Sequence, residues 1–160
     1  MNPGLFVCYN GFGDSMERIE KQMEFILEID KEKQIKRKTL QSNGKDFEDD
    51  AQHAWHMAIM TLLLNEYANE EIDVLKTISM LLIHDLVEID AGDTYAYDSQ
   101  GLKTQSTREA KAANRIFNLL PEDQAKKMFD LWNEFEERKT AEAKFARVLD
   151  LSLIHISEPT

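Results

Sequence analysis

The stretch LLIHDLVEIDAGD, residues 81–93, sets His84, Asp85 and Glu88 inside one of the longest apolar runs of the sequence. At helical spacing Glu88 lies four residues after His84 and three after Asp85, so it shares their face of the helix. Burying an ionised carboxylate beside an imidazole costs free energy unless a partner neutralises it, and a divalent metal ion bound by both is a common partner. The stretch therefore predicts a buried helix that carries a metal site.

Apolar residues recur at helical spacing on both sides of this stretch. The pattern predicts an all-α single domain, a bundle of about six helices in which the helix through His84 is the most buried. Trp55 is predicted to lie in the core. No segment shows the alternation and glycine turns of a sheet, and residues 39–45 read as a polar connection. The predicted helices cover about 16–35, 48–68, 73–89, 107–119, 121–138 and 140–150.

The two ends of the chain differ from the middle. Residues 1–15 hold three of the six glycines and no Lys or Arg, which predicts a loosely ordered leader, with a short docking arm as the alternative. Residues 151–160, LSLIHISEPT, match the translation of a transposon-end sequencing adapter at all ten positions. We therefore expect a domain over 16–150 followed by a non-native tail, with a genuine divergent tail as the alternative, and His155 is left out of the site.

Composition excludes several classes of protein. The chain has 160 residues, with 19 Lys and Arg against 30 Asp and Glu, and a net charge of −11 that disfavours binding to a nucleic acid polymer. Its one cysteine, Cys8, excludes an internal disulfide and a cysteine-rich zinc site, so we expect a cytoplasmic protein. No apolar run approaches the length of a membrane span, and no signal peptide is evident, so no membrane partner is expected.

Histidines are concentrated on the two predicted helices that are expected to build the core. His53 and His56 are three residues apart, so both could face the helix that carries His84. A lone histidine on an apolar face is more often a satisfied core residue than a ligand. One or two histidines with several carboxylates suit Mn²⁺, Co²⁺, Fe²⁺ or Mg²⁺ better than a closed structural zinc site. The turn at Gly92 is expected to carry Asp93 back toward the same cavity.

Three segments in order carry a resemblance to a known family. DDAQHAWHMA (49–58), LLIHDLVEIDAGDTYAYD (81–98) and KFARVLD (144–150) resemble the HD-domain phosphohydrolase superfamily, in particular its small single-domain 5′-deoxynucleotidase-like branch. The similarity covers essentially all of residues 16–150. It implies one divalent metal ion, bound by His53, His84, Asp85 and Asp150.

The resemblance also implies roles for residues around the metal ligands. Glu88 and Asp93 match an acidic pair, in which Glu88 positions the attacking water or a ligand and Asp93 acts on the substrate side. His56 then lies behind the ligands or in the core. Gln52 stands where the family usually has a glutamate before its first histidine, which removes a charge but not a ligand.

A phosphate substrate needs a cation that the overall charge does not provide. The resemblance places a phosphate-contacting arginine near Arg37, with Lys38 as the alternative, and a guanidinium is the better bidentate phosphate binder. Tyr95 and Tyr97 are expected to border the nucleoside or to pack as ordinary aromatic residues. Arg37 and Lys38 belong to a cluster of basic residues that could equally be a solvated helix end. The cluster comprises Lys31, Lys33, Lys36, Arg37 and Lys38.

The function implied is metal-dependent hydrolysis of (deoxy)nucleoside 5′-monophosphates, with release of phosphate. Two alternatives remain open: an HD phosphodiesterase or other nucleotide hydrolase, and a non-catalytic regulatory module stabilised by metal. The resemblance further suggests a homodimer. It also suggests one or two helices beyond Asp150, so that the domain is expected to be truncated at its C-terminus.

Overall fold

The computed structural model describes residues 14–92 and 101–157. This part of the chain is helical apart from one hairpin, as the sequence predicted for the fold class. The α-helices are α1 (Asp14–Ile29), α2 (Asp50–Leu64), α3 (Val74–Ile83), α4 (Glu88–Ala91), α5 (Gly101–Phe117), α6 (Glu122–Glu137) and α7 (Ala141–Ser157). The strands are β1 (Lys36–Leu40) and β2 (Phe47–Asp49), and 3₁₀ segments lie at Asp30–Gln34, Asn65–Tyr67 and His84–Val87.

Helix α3 is the centre of the bundle and packs against α2, α6 and α7. Its inward side chains are buried, whereas Leu75 and Leu82 face solvent. No helix among residues 14–92 and 101–157 is long and apolar enough to cross a membrane. The largest fully buried apolar side chains are Phe117, Phe135, Met57, Met80, Leu81, Ile116 and Leu153.

The prediction of one continuous helix over 73–89 is wrong from His84 onward. The α-helix ends at Ile83, the backbone tightens into a 3₁₀ segment at His84–Val87, and α4 then runs only to Ala91. Side chains three residues apart eclipse one another in 3₁₀ geometry, so Asp85 and the following Glu88 still lie on one side. A 3₁₀ stretch within a helix often marks a functional position.

The hairpin was not predicted. β1 and β2 pair antiparallel, with Lys36 opposite Asp49 and Leu40 opposite Phe47. The strands have five and three residues, too few for period-2 alternation to stand out in a lysine-rich segment. The predicted polar connection is the hairpin loop, where Gly44 takes a positive φ of 65° that glycine adopts without strain.

Helix α2 begins at a capping box that fixes its first turn. Asp49 accepts from the Gln52 backbone N–H at 2.9 Å, and the Gln52 side chain accepts from the Asp49 N–H at 3.1 Å. The prediction that Trp55 is core is wrong, because its side chain points away from the bundle and is 64% exposed. α2 is apolar on more than one face, so the sequence alone does not show which face is inward.

Helix α7 continues beyond its predicted end at Asp150. It runs to Ser157, and Leu153 joins the buried core. The predicted end is therefore wrong, because the helical spacing of apolar residues extends at least one turn past Asp150. The origin of residues 151–160 stays a prediction.

The neighbouring leucines of α3 give a matched test of the fold. Leu81 is fully buried and Leu82 is 45% exposed. We expect Leu81→Ala to lower the free energy of unfolding by about 2–5 kcal/mol, because a buried leucine leaves a cavity. Leu82→Ala should cost less than about 1 kcal/mol. Urea unfolding followed by circular dichroism measures both, and equal losses would contradict the central position of α3.

Candidate metal centre

Three helices bring two histidines and an aspartate together inside the bundle. His53 comes from the first turns of α2, His84 from the start of the 3₁₀ segment that follows α3, and Asp150 from the middle of α7. One potential ligand atom of each lies within 4.8 Å of the others, and all three residues are buried. Residues far apart in the sequence thus form one cluster of metal-ligating types.

His84 is held with a ring nitrogen available to a metal. Its Nδ1 lies 2.9 Å from the Leu81 carbonyl oxygen. Because a carbonyl can only accept, Nδ1 carries a hydrogen, and Nε2 is the ring nitrogen at which a metal ion could take the place of a proton. That Nε2 is buried without a hydrogen-bond partner among the described residues, 3.1 Å from Asp85 Oδ1.

His53 lies between two carboxylates. Its Nε2 is 3.1 Å from Asp150 Oδ1, and its Nδ1 is 3.0 Å from Glu48 Oε2. Burial lowers the pKa of His53, but the hydrogen bonds to Asp150 and Glu48 outweigh burial and raise the pKa to about 9. A cation taking the place of the Nε2 proton would leave Nδ1–H donating to Glu48, the usual arrangement behind a metal-binding histidine.

The two aspartates at the centre are held ionised. Burial raises the pKa of Asp150, but the hydrogen bond with His53 and the charge of His84 bring it well below its usual range. Burial likewise raises the pKa of Asp85, and His84 and Arg37 outweigh it, so this pKa is also lowered. Two ionised carboxylates with two imidazole nitrogens form a donor set that fits a divalent ion.

Arg37 of β1 enters the same region from the hairpin. Its Nη1 donates to Asp85 Oδ2 at 2.7 Å and to Asp50 Oδ1 at 3.0 Å, and its side chain is 11% exposed. Burial lowers the pKa of Arg37, but Asp85 and Asp50 more than offset this, so the guanidinium stays charged. Its Nε is buried and donates to no residue of the described chain.

The residues that the sequence suggested as ligands therefore lie close together in the bundle. A family model for the HD domain matches residues 29–156. The chain belongs to the HD domain family. The matched range of this HD domain includes His53, the His84–Asp85 pair and Asp150.

Named relatives of this HD domain are nucleotidases. A 5′-deoxynucleotidase of Dictyostelium discoideum is 33% identical over 134 residues, 80% of this chain and 70% of that protein. One from Bos taurus is 34% identical over 99 residues, 61% of this chain and 46% of that protein. The chain spans about half the length of the 5′-deoxynucleotidases that it matches from Bos taurus, Homo sapiens and Mus musculus.

A solved structure is similar over most of the HD domain. It is the crystal structure of a protein from Magnetospirillum magnetotacticum MS-1 described as a predicted metal-dependent phosphohydrolase. The identity is 48% and the TM-score 0.81, with 88% of this chain and 70% of that chain covered. The helical architecture is therefore shared with a solved relative.

The other residues that the sequence predicted for the site differ in their burial and in their neighbours. Glu88 is buried at the start of α4, and its charge acts on Arg37. Lys38, the alternative to Arg37, is exposed on the other face of β1, and His56 is half-buried beside Trp55, outside the three-residue cluster. Gly92 has the predicted turn conformation, with φ 74°. Asp93, Tyr95 and Tyr97 lie outside the described residues.

Three buried acids of the HD domain were missed by sequence reasoning. Glu48 holds His53, Asp50 holds Arg37, and Glu32 is buried close enough to Asp85 and Asp50 to feel their charges. Burial, with the charges of Asp85 and Asp50, raises the pKa of Glu32 to about 8. Glu48 and Asp50 lie within five residues of His53 in the sequence, and this closeness was the one signal available for them.

Glu48→Gln tests the support behind His53. We expect roughly tenfold weaker Mn²⁺ binding in a direct titration, because a neutral amide orients and polarises the imidazole less well than a carboxylate. Glu32→Gln is the matched control, since Glu32 with its pKa of about 8 is largely neutral at pH 7 and should leave Mn²⁺ affinity unchanged. Equal losses in both variants would contradict a specific role for Glu48 behind His53.

Proposed function

We propose that this HD domain is a metal-dependent phosphohydrolase that releases phosphate from deoxynucleoside 5′-monophosphates. The ligands proposed for the divalent ion are His53, His84, Asp85 and Asp150. The substrate class is supported by the 5′-deoxynucleotidase names of the relatives, and the phosphoryl chemistry by the name of the solved relative.

One observation carries the proposal: the buried Nε of Arg37, a donor without an acceptor in the described chain, lies beside a cluster of side chains of metal-ligating types. Arg37 Nη1 is occupied by Asp85 and Asp50, whereas its buried Nε donates to nothing in the described chain. Leaving a buried donor unpaired costs about 1–3 kcal/mol. A phosphate group bound at this edge would supply the missing acceptor and match the planar fork of a guanidinium.

The bound ion supplies a lowered pKa for water and positive charge for the phosphoryl oxygens. The chain's own groups do the positioning. His84 is fixed by the Leu81 carbonyl and packs against Phe135, with ring centroids 4.7 Å apart, which excludes water from one side of the cluster. His53 is fixed by Glu48. Both imidazoles are thereby pre-organised before any ligand binds.

Proton transfer is assigned to the acidic pair. Glu88 is buried on the same side of the chain as Asp85, where its carboxylate would orient the attacking water and accept its proton. Asp93 is proposed to act on the leaving-group side. Arg37 balances the charge of the phosphate, with Lys38 kept as the weaker candidate because it is exposed.

A product screen tests this function. The chain is incubated with deoxynucleoside and ribonucleoside 5′-monophosphates and with a cyclic nucleotide diester, in Mn²⁺, Co²⁺, Fe²⁺, Mg²⁺ or EDTA. We expect inorganic phosphate and nucleoside, released only with metal. A nucleotide product from the diester would favour the phosphodiesterase alternative, and inactivity with every metal would favour a regulatory module.

A homodimer in the cytoplasm remains part of the proposal. Exposed apolar side chains at helical spacing on α2, Trp55, Ile59 and Leu62, support self-association. Sedimentation of the purified chain over a range of concentrations measures it, and a monomer throughout would contradict it.

A further inference from the structure

Asp50 is a fully buried carboxylate outside the proposed ligand set. It is the first residue of α2, and its relative exposure is 0%. Its Oδ1 accepts from Arg37 Nη1 at 3.0 Å, and its backbone N–H donates to the Ile35 carbonyl at 3.3 Å, just before β1. The start of α2 and the start of the hairpin are thus tied at this residue.

The contacts of Arg37 divide its guanidinium into two edges. Nη1 is used twice, by Asp50 and by Asp85 Oδ2 at 2.7 Å. Nε is buried, and neither Nε nor Nη2 donates to a residue within 14–92 or 101–157. Two carboxylates therefore hold one nitrogen and leave the opposite, bidentate edge of the fork for an oxyanion.

The two carboxylates differ in what else they do. Asp85 Oδ1 is 3.1 Å from His84 Nε2, so Asp85 belongs to the proposed metal centre as well. Neither aspartate is in the three-residue cluster, and of the two only Asp85 is proposed as a ligand. Because a partly buried arginine side chain has many rotamers to lose, a second anchor at Nη1 from outside the proposed ligand set restricts the direction of the Nε/Nη2 edge.

We propose that Asp50 is a positioning residue that turns the Nε/Nη2 edge of Arg37 toward the substrate phosphate. The inference rests on the proposed function for the identity of the anion. For the change in anion affinity when Asp50 is replaced, the positioning role and simple electrostatics predict opposite signs. Removing a negative charge near a phosphate site should strengthen anion binding, whereas losing the anchor should weaken it.

Inorganic phosphate is the probe, titrated calorimetrically into the Mn²⁺-loaded chain. We expect Asp50→Ala to weaken phosphate binding about tenfold, and KM for a deoxynucleoside monophosphate to rise by the same factor while kcat changes little. Asp50→Asn keeps an acceptor at Oδ1 and should rescue most of the loss. Asp49→Asn is the matched control, since it removes the neighbouring charge and retains a capping side chain.

A double-mutant cycle with Arg37→Gln identifies the route of the effect. If Asp50 acts through Arg37, adding Asp50→Ala to Arg37→Gln should cause no further loss of phosphate affinity. Additive losses, unchanged affinity in Asp50→Ala, or tighter binding in Asp50→Asn would each overturn the proposal, as would a chain that binds no phosphate. Mn²⁺ affinity is measured in every variant and should stay constant in the Asp50 and Asp49 single variants; variants that carry Arg37→Gln are titrated at saturating Mn²⁺, because Arg37 contacts Asp85.

The two proposals fail separately. Phosphate binding that depends on Asp50, without turnover of any phosphomonoester, would overturn the proposed function and leave the positioning role standing. Turnover of deoxynucleoside monophosphates with KM unaffected by Asp50→Ala would do the reverse. Should Asp50→Ala fail to fold, Asp50→Asn gives the decision: affinity at or above that of the unaltered chain overturns the role, and a small loss of up to about threefold supports it.

Discussion

Replacing Asp85 with alanine is expected to abolish metal-dependent phosphate release, a loss on the order of a thousandfold or more in kcat/KM. Asp85 is the residue at which the proposed metal centre and phosphate site meet. Its Oδ1 lies beside His84 Nε2, and its Oδ2 accepts from Arg37. Losing it removes a proposed ligand and one anchor of the guanidinium at once. Steady-state phosphate release with Mn²⁺ measures the effect.

Two further variants make the Asp85 result specific. Asp85→Asn preserves shape and should still lose most activity, because a neutral amide is a poor ligand for a divalent ion. Asp90→Asn alters an acid of α4 that pairs with Arg115 at the surface, and it should retain activity. Full turnover in Asp85→Ala would contradict the proposal that Asp85 is a metal ligand.

Glu88→Gln is expected to lower kcat by about 10²–10⁴-fold while phosphate and Mn²⁺ affinities change little. Glutamine fills the same buried space at the start of α4 but cannot accept a proton. The separation of kcat from binding is what a proton-accepting role requires. Stopped assays of phosphate release give kcat, and calorimetric titrations give the two affinities.

The matched control for Glu88 is another buried glutamate. Glu109 of α5 accepts a hydrogen bond from Gln105 and belongs to no proposed ligand set, so Glu109→Gln should leave kcat unchanged. A fall in Mn²⁺ affinity parallel to the fall in kcat of Glu88→Gln would make Glu88 a metal-supporting residue and contradict its proposed role with water.

The sequence predicted those features that depend on residues close together in the chain. His84 and Asp85 are adjacent within an apolar run, and this local pattern was enough to predict that the pair is buried. Their role as metal ligands stays a prediction. The resemblance extended the prediction to His53 and Asp150, which lie 97 positions apart and meet only through the packing of α2 against α7.

Tertiary packing decided what the sequence could not. Glu48 and Asp50 read as acids in the first turn of a helix, a favourable and ordinary place for them, and only the fold shows that they hold His53 and Arg37. Trp55 reads as core because α2 is apolar on several faces. The change from α to 3₁₀ at His84, where the ring Nδ1 donates to the Leu81 carbonyl, has no sequence signal.

The most direct test of the metal centre is an anomalous difference map at the manganese absorption edge, from crystals of the chain grown with Mn²⁺. We predict one peak bounded by His53 Nε2, His84 Nε2, and the carboxylates of Asp85 and Asp150, with Arg37 at its margin. A map with no peak at this position, or with a peak held by other residues, would contradict the account.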